Sequence, residues 1–556
     1  MVVSTDSTVN TDLNKKITGS PVLLTIMKKR FYITTPIYYP SARLHLGHAY
    51  CTTLSDVLAR SKRERGFECY FLTGADEHGL KIEKNAQEAG ITPQQFVDNI
   101  VEGFYQLWDL LKISNDDFIR TTQDRHIKVV QSAFTRMLNK EDIYLGKYEG
   151  WYCKYCEAFW TDTQVGPDHI CPDCQREVQK AEEEAYFFKA SKYVDFLMDF
   201  FDKNPKFLVP ESRKNEMINT FIKPGLDDLC VSRTSFSWGV PVLENKKHVV
   251  YVWLDALTNY ISALGYGSDN DELYKKFWDS EDCEIIHILG ADITRFHAIY
   301  WPMFLESLGV RKPDREFVHG LLMMKDSKMS KSKGNVVNPY PLVERYGVDS
   351  VRYYLTREIN FGSDGSFSPE QFVERVNADL ANSYGNLLNR TISMIGKYFD
   401  GIVPEYKGHV TEFDASLESA IDVTISSYCS LMDDLKITDA IAAVNELVNR
   451  TNKYIDETTP WALAKDESKK DDLASVMNHL ARAIYVASRL YHPVLVSASD
   501  KAFEQLGLDA ESADFKNIKD VHLLDNRQTV KGNPLFPRLD PNIEVPFIYE
   551  LMNPTK

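Results

Sequence analysis

RFYITTPIYYPSARLHLGHAY, residues 30–50, changes period part-way along. Residues 30–40 read as a buried strand that breaks at Pro36 and Pro40. After it, Leu46, Ala49, Thr53, Leu54, Val57 and Leu58 recur at helical spacing until Gly66 stops the run. ECYFLTGADEHG, residues 68–79, is a second strand that opens into a loop. Strand, helix and strand with short joints make a βαβ unit, so the expected fold is α/β: a doubly wound, parallel, Rossmann-like sheet. Ligands of such sheets gather at the carboxyl ends of the strands, where His45, Gly47 and His48 stand at the start of a helix. A helix N-terminus attracts phosphate, and two imidazoles add donors that can follow developing charge. Gly47, lacking a Cβ, leaves room for a flat ring against the backbone. Taken alone, the pattern reads more readily as two partly exposed histidines capping a helix.

The totals bound the alternatives. A chain of 556 residues, 44% apolar and 12% aromatic, has material for roughly three or four ordinary domains. No stretch approaches the roughly 20 apolar residues of a membrane-spanning helix, so no membrane partner is expected. Residues 1–28, rich in Ser, Thr and Asn, read as a disordered tail. Nine cysteines, an odd number spread over a long chain, do not form an obvious disulfide framework and favour a reducing, cytoplasmic setting. With 80 acidic against 64 basic side chains the net charge is −16, so any nucleic-acid contact must be made by local patches.

Four cysteines carry the most specific signal that spacing alone provides. Cys153, Cys156, Cys171 and Cys174 form C-x2-C-x14-C-x2-C, which suits four thiolates on one structural Zn2+, with iron as the chemical alternative.

A second motif lies far along the chain. MKDSKMSKSKGN, residues 324–335, holds four lysines and three serines, which by itself describes a solvated loop. Together, HLGH (45–48) and KMSKS (328–332) resemble the two signatures of class I aminoacyl-tRNA synthetases, with Leu46 where that family usually has Ile. PIYYPSARLHLGH, TGADEHG, KYEGWYCKYCEAFW, YVWLDALTNY, GADITRFHAIYWP and LFPRLD narrow the resemblance to the methionyl-tRNA synthetases, from about residue 30 onward. The resemblance implies a ligase that activates methionine with Mg2+-ATP and transfers it to tRNA(Met), initiator included. It implies ATP contacts from His45, Gly47, His48, Gly290, Asp292, Lys328, Met329, Ser330 and Lys331, with His45, His48, Lys328 and Lys331 catalytic. The loop would close over ATP, and its compact ammonium groups would neutralise the triphosphate.

By the same motif match, methionine would lie among Ile37, Tyr39, Trp253, Ala256, Leu257, Tyr260, Ile293 and His297, with Asp76 on its ammonium group. Tyr39 and His297 would offer polar hydrogens to the thioether. Arg233 would serve the substrate carboxylate or phosphate; a surface salt bridge is its plain alternative. Asn386 and Arg390, one helical turn apart, together with Pro460 and Trp461, would read the anticodon. The competing reading for the last two is a helix start and a core tryptophan. Without the resemblance, the aromatic residues would pass for ordinary core.

The expected layout is the tail, then 29–141 and 225–325 as two halves of the catalytic domain around a zinc-knuckle connective insertion at 142–224. A loop and stem-contact region at 326–365 and a C-terminal α-helical bundle at 366–556 follow, and a monomer is expected. Two rivals remain: a sister class I enzyme for isoleucine, valine, leucine or cysteine, and a tRNA-binding relative that has lost catalysis. The first three sister enzymes carry an editing insertion too large for 556 residues. The cysteine enzyme needs an open zinc position, and a decayed relative would not keep both signatures.

Overall fold

A computed structural model describes residues 30–552, apart from 42, 156, 157, 161–164, 173, 325, 326, 329–336, 360 and 361. The expected tail therefore lies outside the described residues, as do Cys156, Met329, Ser330 and Lys331, and Lys328 is described by its backbone alone.

The centre is a parallel sheet of six strands: β1 (Arg30–Tyr38), β2 (Glu68–Ala75), β3 (Asp117–Arg120), β4 (Leu208–Val209), β5 (Cys283–Gly290) and β6 (Arg315–His319). Their order is β3-β2-β1-β5-β6-β4. The chain builds outward from β1 on one side and returns to build on its other side, which puts the switch point between the carboxyl ends of β1 and β5. Helix α1 (Leu46–Glu64) makes the crossover from β1 to β2, and Leu46, Ala49, Thr53, Leu54, Val57 and Leu58 are all buried in it, as the periodicity predicted. Pro36 does not end β1 as expected. The strand runs on to Tyr38 and absorbs the proline, which has no N–H to give, in a register shift against β2 between Thr34 and Ile37.

The insertion is a second, antiparallel sheet: Ile143–Cys153, Ala158–Trp160, Gln179–Phe188 and Leu229–Cys230. It does not run cleanly over 142–224. Leu208–Val209 leaves it to become the edge strand β4, and Leu229–Cys230 still pairs with Gln179–Phe188. Beyond the sheet come α2 (Val348–Arg357), α3 (Asn386–Tyr398), α4 (Asp414–Asp433), α5 (Ile437–Thr458) and α6 (Lys470–Tyr491), of which α3 to α6 pack as a bundle. Ile437, Ile441, Val444, Val448 and Ile455 line one stripe of α5 and are all buried. No helix among the described residues is long and apolar enough to cross a membrane.

Helix α1 joins the sheet to the bundle. In its middle, the fully buried Asp56 meets the fully buried Arg352 of α2 at 2.6 Å. Arg352 also donates to the carbonyls of Leu111, Pro493 and Val494, so one guanidinium ties three segments together. Near the end of α1, Lys62 and Arg65 pair with Asp433 at 2.8 and 2.7 Å, and Glu64 pairs with Arg489 at 2.7 Å. Burial alone would raise the Asp56 carboxyl. The charges of Arg352 and Arg60 and the Ser114 hydrogen bonds outweigh it and hold the group below its ordinary range. Its contribution is therefore complete above about pH 4 and is lost as the pH falls through the lower native value. Removing one partner leaves a buried charge, so Asp56→Ala should cost about 3–5 kcal/mol, measured as a lowered unfolding midpoint in urea at neutral pH.

Candidate active site

The N-terminus of α1 is capped by its own histidines. The Gly47 N–H donates to His45 Nδ1 at 3.1 Å, and the His45 N–H donates to His48 Nδ1 at 3.1 Å. This reciprocal cap satisfies two of the N–H groups that a helix start leaves unbonded. It also sets the chemistry. A ring nitrogen that accepts a backbone hydrogen bond carries no proton, so each imidazole has its hydrogen on Nε2. The rings lie 3.9 Å apart, and Tyr38 meets His48 edge-on at 5.3 Å. The flat ring expected over Gly47 proves to be His45 itself: a Cβ there would sit 2.9 Å from its Cε1.

Across the switch point, β5 ends at Gly290 and the exposed Asp292 follows. A Cβ on Gly290 would meet Asp292 Oδ1 at 2.8 Å and His319 Cε1 at 3.6 Å. His319, the last residue of β6, meets Tyr50 edge-on at 5.1 Å and so belongs to the same corner. Sequence reasoning missed it; its signal was the His-Gly pair that closes a strand. The segment after KMSKS returns here too, since the Leu46 N–H donates to the Val337 carbonyl at 3.0 Å. On the other side of the motif, Lys328 pairs by its backbone with Met323, in line with the end of β6.

Of the predicted apolar residues, Leu257 and Tyr260 belong to one core cluster, with Ile37, Trp253 and Ile293 packed against it. Tyr260, Ala256, Leu257 and His297 are buried, while Ile37, Tyr39, Trp253 and Ile293 are half-buried. Trp253 stacks on Phe296, a partner the sequence did not announce, at 3.5 Å and 7°. His297 departs from its expected role as a donor to sulfur. Its Nδ1–H donates to the Ile293 carbonyl at 3.1 Å, and its Nε2 accepts from the Tyr260 hydroxyl at 2.8 Å. Burial lowers this imidazole to about 4, so it is neutral at physiological pH and has no second hydrogen to give. Asp76 is buried directly after β2, and its N–H donates at 3.0 Å to the carbonyl of Tyr38, the last residue of β1. Arg233 is not at the surface: it is 1% exposed and stands over the rings of Tyr251, at 4.3 Å, and Tyr152, at 5.0 Å.

The family model described as tRNA synthetases class I (M) matches residues 31–184 and 178–392, and that of the anticodon binding domain of methionyl tRNA ligase matches 403–533. The chain is 53% identical over 540 residues to a methionine–tRNA ligase of Halalkalibacterium halodurans, covering 95% of this chain and 81% of that one. It is 52% identical over 529 residues to the Bacillus subtilis counterpart, covering 93% and 79%. A Mycobacterium tuberculosis methionyl-tRNA synthetase solved with methionyl-adenylate superimposes with a TM-score of 0.87 at 39% identity, covering 92% of this chain and 100% of that one. The chain belongs to the methionyl-tRNA synthetase family.

Two further features lie away from this corner. In the insertion, the sulfurs of Cys153, Cys171 and Cys174 lie within 4.8 Å of one another. Cys153 and Cys174 are 3.5 Å apart, too far for a disulfide of about 2.05 Å and close to the edge of a tetrahedron of thiolates around one metal ion. In the bundle, Asn386 and Arg390 sit on α3, Asn386 exposed and Arg390 half-buried. Pro460 is buried at the first position of a short helix, whereas Trp461 is 44% exposed and is not a core residue.

The hydrogen-bond pattern assigns tautomers that can be read directly. In selectively 15N-histidine-labelled enzyme, His45 and His48 should show the Nε2–H form and His297 the Nδ1–H form. Gly47→Ala should displace the His45 ring and shift its nitrogen resonances while leaving those of His297 in place.

Proposed function

We propose that this chain is a methionine–tRNA ligase that joins methionine to ATP as methionyl-adenylate, releases pyrophosphate, and passes methionine to the 3′-terminal adenosine of tRNA(Met). The observation that carries the reading is the bond from the Leu46 N–H to the Val337 carbonyl, which ties the chain leaving KMSKS to the histidine-capped start of α1. The methionine carboxylate attacks the α-phosphorus of Mg2+-ATP in line. The Nε2–H groups of His45 and His48 and the ammonium groups of Lys328 and Lys331 stabilise charge on the phosphates, with no covalent enzyme intermediate.

Gly47, Gly290, Asp292, Met329 and Ser330 complete the ATP site, Asp292 taking the ribose hydroxyls. Methionine lies among Ile37, Tyr39, Trp253, Ala256, Leu257, Tyr260, Ile293 and His297. Asp76 holds its ammonium group, Arg233 its carboxylate or the phosphate, and Tyr39 is the donor facing sulfur. Cys153, Cys171 and Cys174, with Cys156, hold one structural Zn2+ that braces the insertion. Asn386, Arg390, Pro460 and Trp461 receive the anticodon. The enzyme acts as a cytoplasmic monomer.

Methionine-dependent exchange of pyrophosphate into ATP tests the reading. Exchange should appear with methionine and stay near background with isoleucine, valine, leucine or cysteine; exchange with another amino acid, or with none, contradicts it. Trp461→Ala should leave exchange within threefold of wild type while weakening tRNA(Met) binding by the roughly 1–3 kcal/mol of one lost base stack, as measured by filter binding.

A further inference from the structure

A chain of buried polar groups runs behind the loop that carries Asp76. His78 Nδ1 meets Asp255 Oδ2 at 2.7 Å, His126 Nε2 meets Asp255 Oδ1 at 2.8 Å, and Ser262 Oγ meets His126 Nδ1 at 2.8 Å. His126 and Asp255 are buried, and His78 is 8% exposed. His78 lines a narrow cavity together with Asp76, Phe236, Tyr251 and Val252. Tyr251 is the ring on which Arg233 stands.

Asp76 and His78 line one cavity, and Arg233 stands on the Tyr251 ring of the same wall. With Asp76 on the ammonium group and Arg233 on the carboxylate or phosphate, as proposed above, a bound methionyl-adenylate would present its carbonyl carbon to this cavity. We infer that His78, aligned by Asp255, is the proton acceptor for the second half-reaction, the transfer of methionine to tRNA; the inference rests on the function proposed above. A carboxylate only accepts, so the ring hydrogen of neutral His78 is on Nδ1 and Nε2 is its basic nitrogen. The hydroxyl oxygen of the terminal adenosine bonds to the carbonyl carbon and its proton passes to Nε2. The bond from that carbon to the phosphate oxygen breaks, and its electron pair leaves with AMP. Activation involves no such proton, because the attacking methionine is already a carboxylate.

Asp255 is suited to holding the ring. Burial would raise it, but electrostatic interaction with the neighbouring His78 ring and the hydrogen bonds of His126 and His78 outweigh burial and bring it down to about 2. The groups around His78 are Asp255 from the helix Val252–Leu257, His126 behind it, Asp76 and Glu77 on its own loop, Arg120 on Glu77 at 2.6 Å, and the Trp238 ring at 5.6 Å.

The test measures both half-reactions in one set of variants: pyrophosphate exchange, and single-turnover transfer from enzyme-bound methionyl-adenylate to tRNA(Met) by rapid quench. His78→Ala and Asp255→Asn should lower transfer about 100-fold and leave exchange within threefold. Imidazole should restore part of the transfer by His78→Gly. His78→Asn serves if the smaller side chains prevent folding. Unchanged transfer, or equal loss in both half-reactions as expected for a merely bracing network, overturns the inference. Absent exchange in the wild type would instead overturn the function on which it rests.

Discussion

The proposed site depends on a helix whose N-terminus is capped by its own two histidines. The backbone N–H groups of His45 and Gly47 need acceptors, and the two imidazoles supply them through Nδ1. That structural duty fixes which nitrogen carries the proton, so local folding and chemical role are one constraint. Gly47 follows from the same geometry, because a Cβ would collide with the His45 ring. The cap also sits where the sheet changes direction, with Asp292 and His319 facing it from the neighbouring strand ends.

The same helix reaches the rest of the molecule. Its 19 residues span about 28 Å at the usual rise per residue. At its start are the histidines, at its middle the buried Asp56–Arg352 pair, and at its end the ion pairs to Asp433 and Arg489. The bundle, the part of the proposed enzyme that reads tRNA, is thus fastened to the rod that carries the histidines. Buried charges must keep their partners, so this contact also helps fix how sheet and bundle meet.

Much of this was legible beforehand, and what was not has physical reasons. The β1–α1–β2 unit announced itself because the apolar period changes from strand to helix within a few residues, and the cysteine spacing announced the cluster of Cys153, Cys171 and Cys174. Pro36 misled because a missing N–H ends most strands, yet a register shift accommodates it here. Leu208–Val209 was invisible, since two residues carry no period. The relay through His78, His126 and Asp255 joins three distant segments, so no local pattern marks it. His297 lost its donor role to a carbonyl one turn away, a detail only side-chain geometry supplies. Whether Trp461 was core or surface was evenly balanced in sequence, and its exposure decided it.

The central claim is that the capped histidines act on charge that develops during the reaction and not on ground-state affinity. Rapid-quench measurement of methionyl-adenylate formation in His48→Ala, with methionine and ATP dissociation constants from equilibrium titration, tests it most directly. The rate should fall at least 100-fold with both constants within threefold of wild type. A variant that adenylates at the wild-type rate once saturated, and has merely lost affinity, would contradict it.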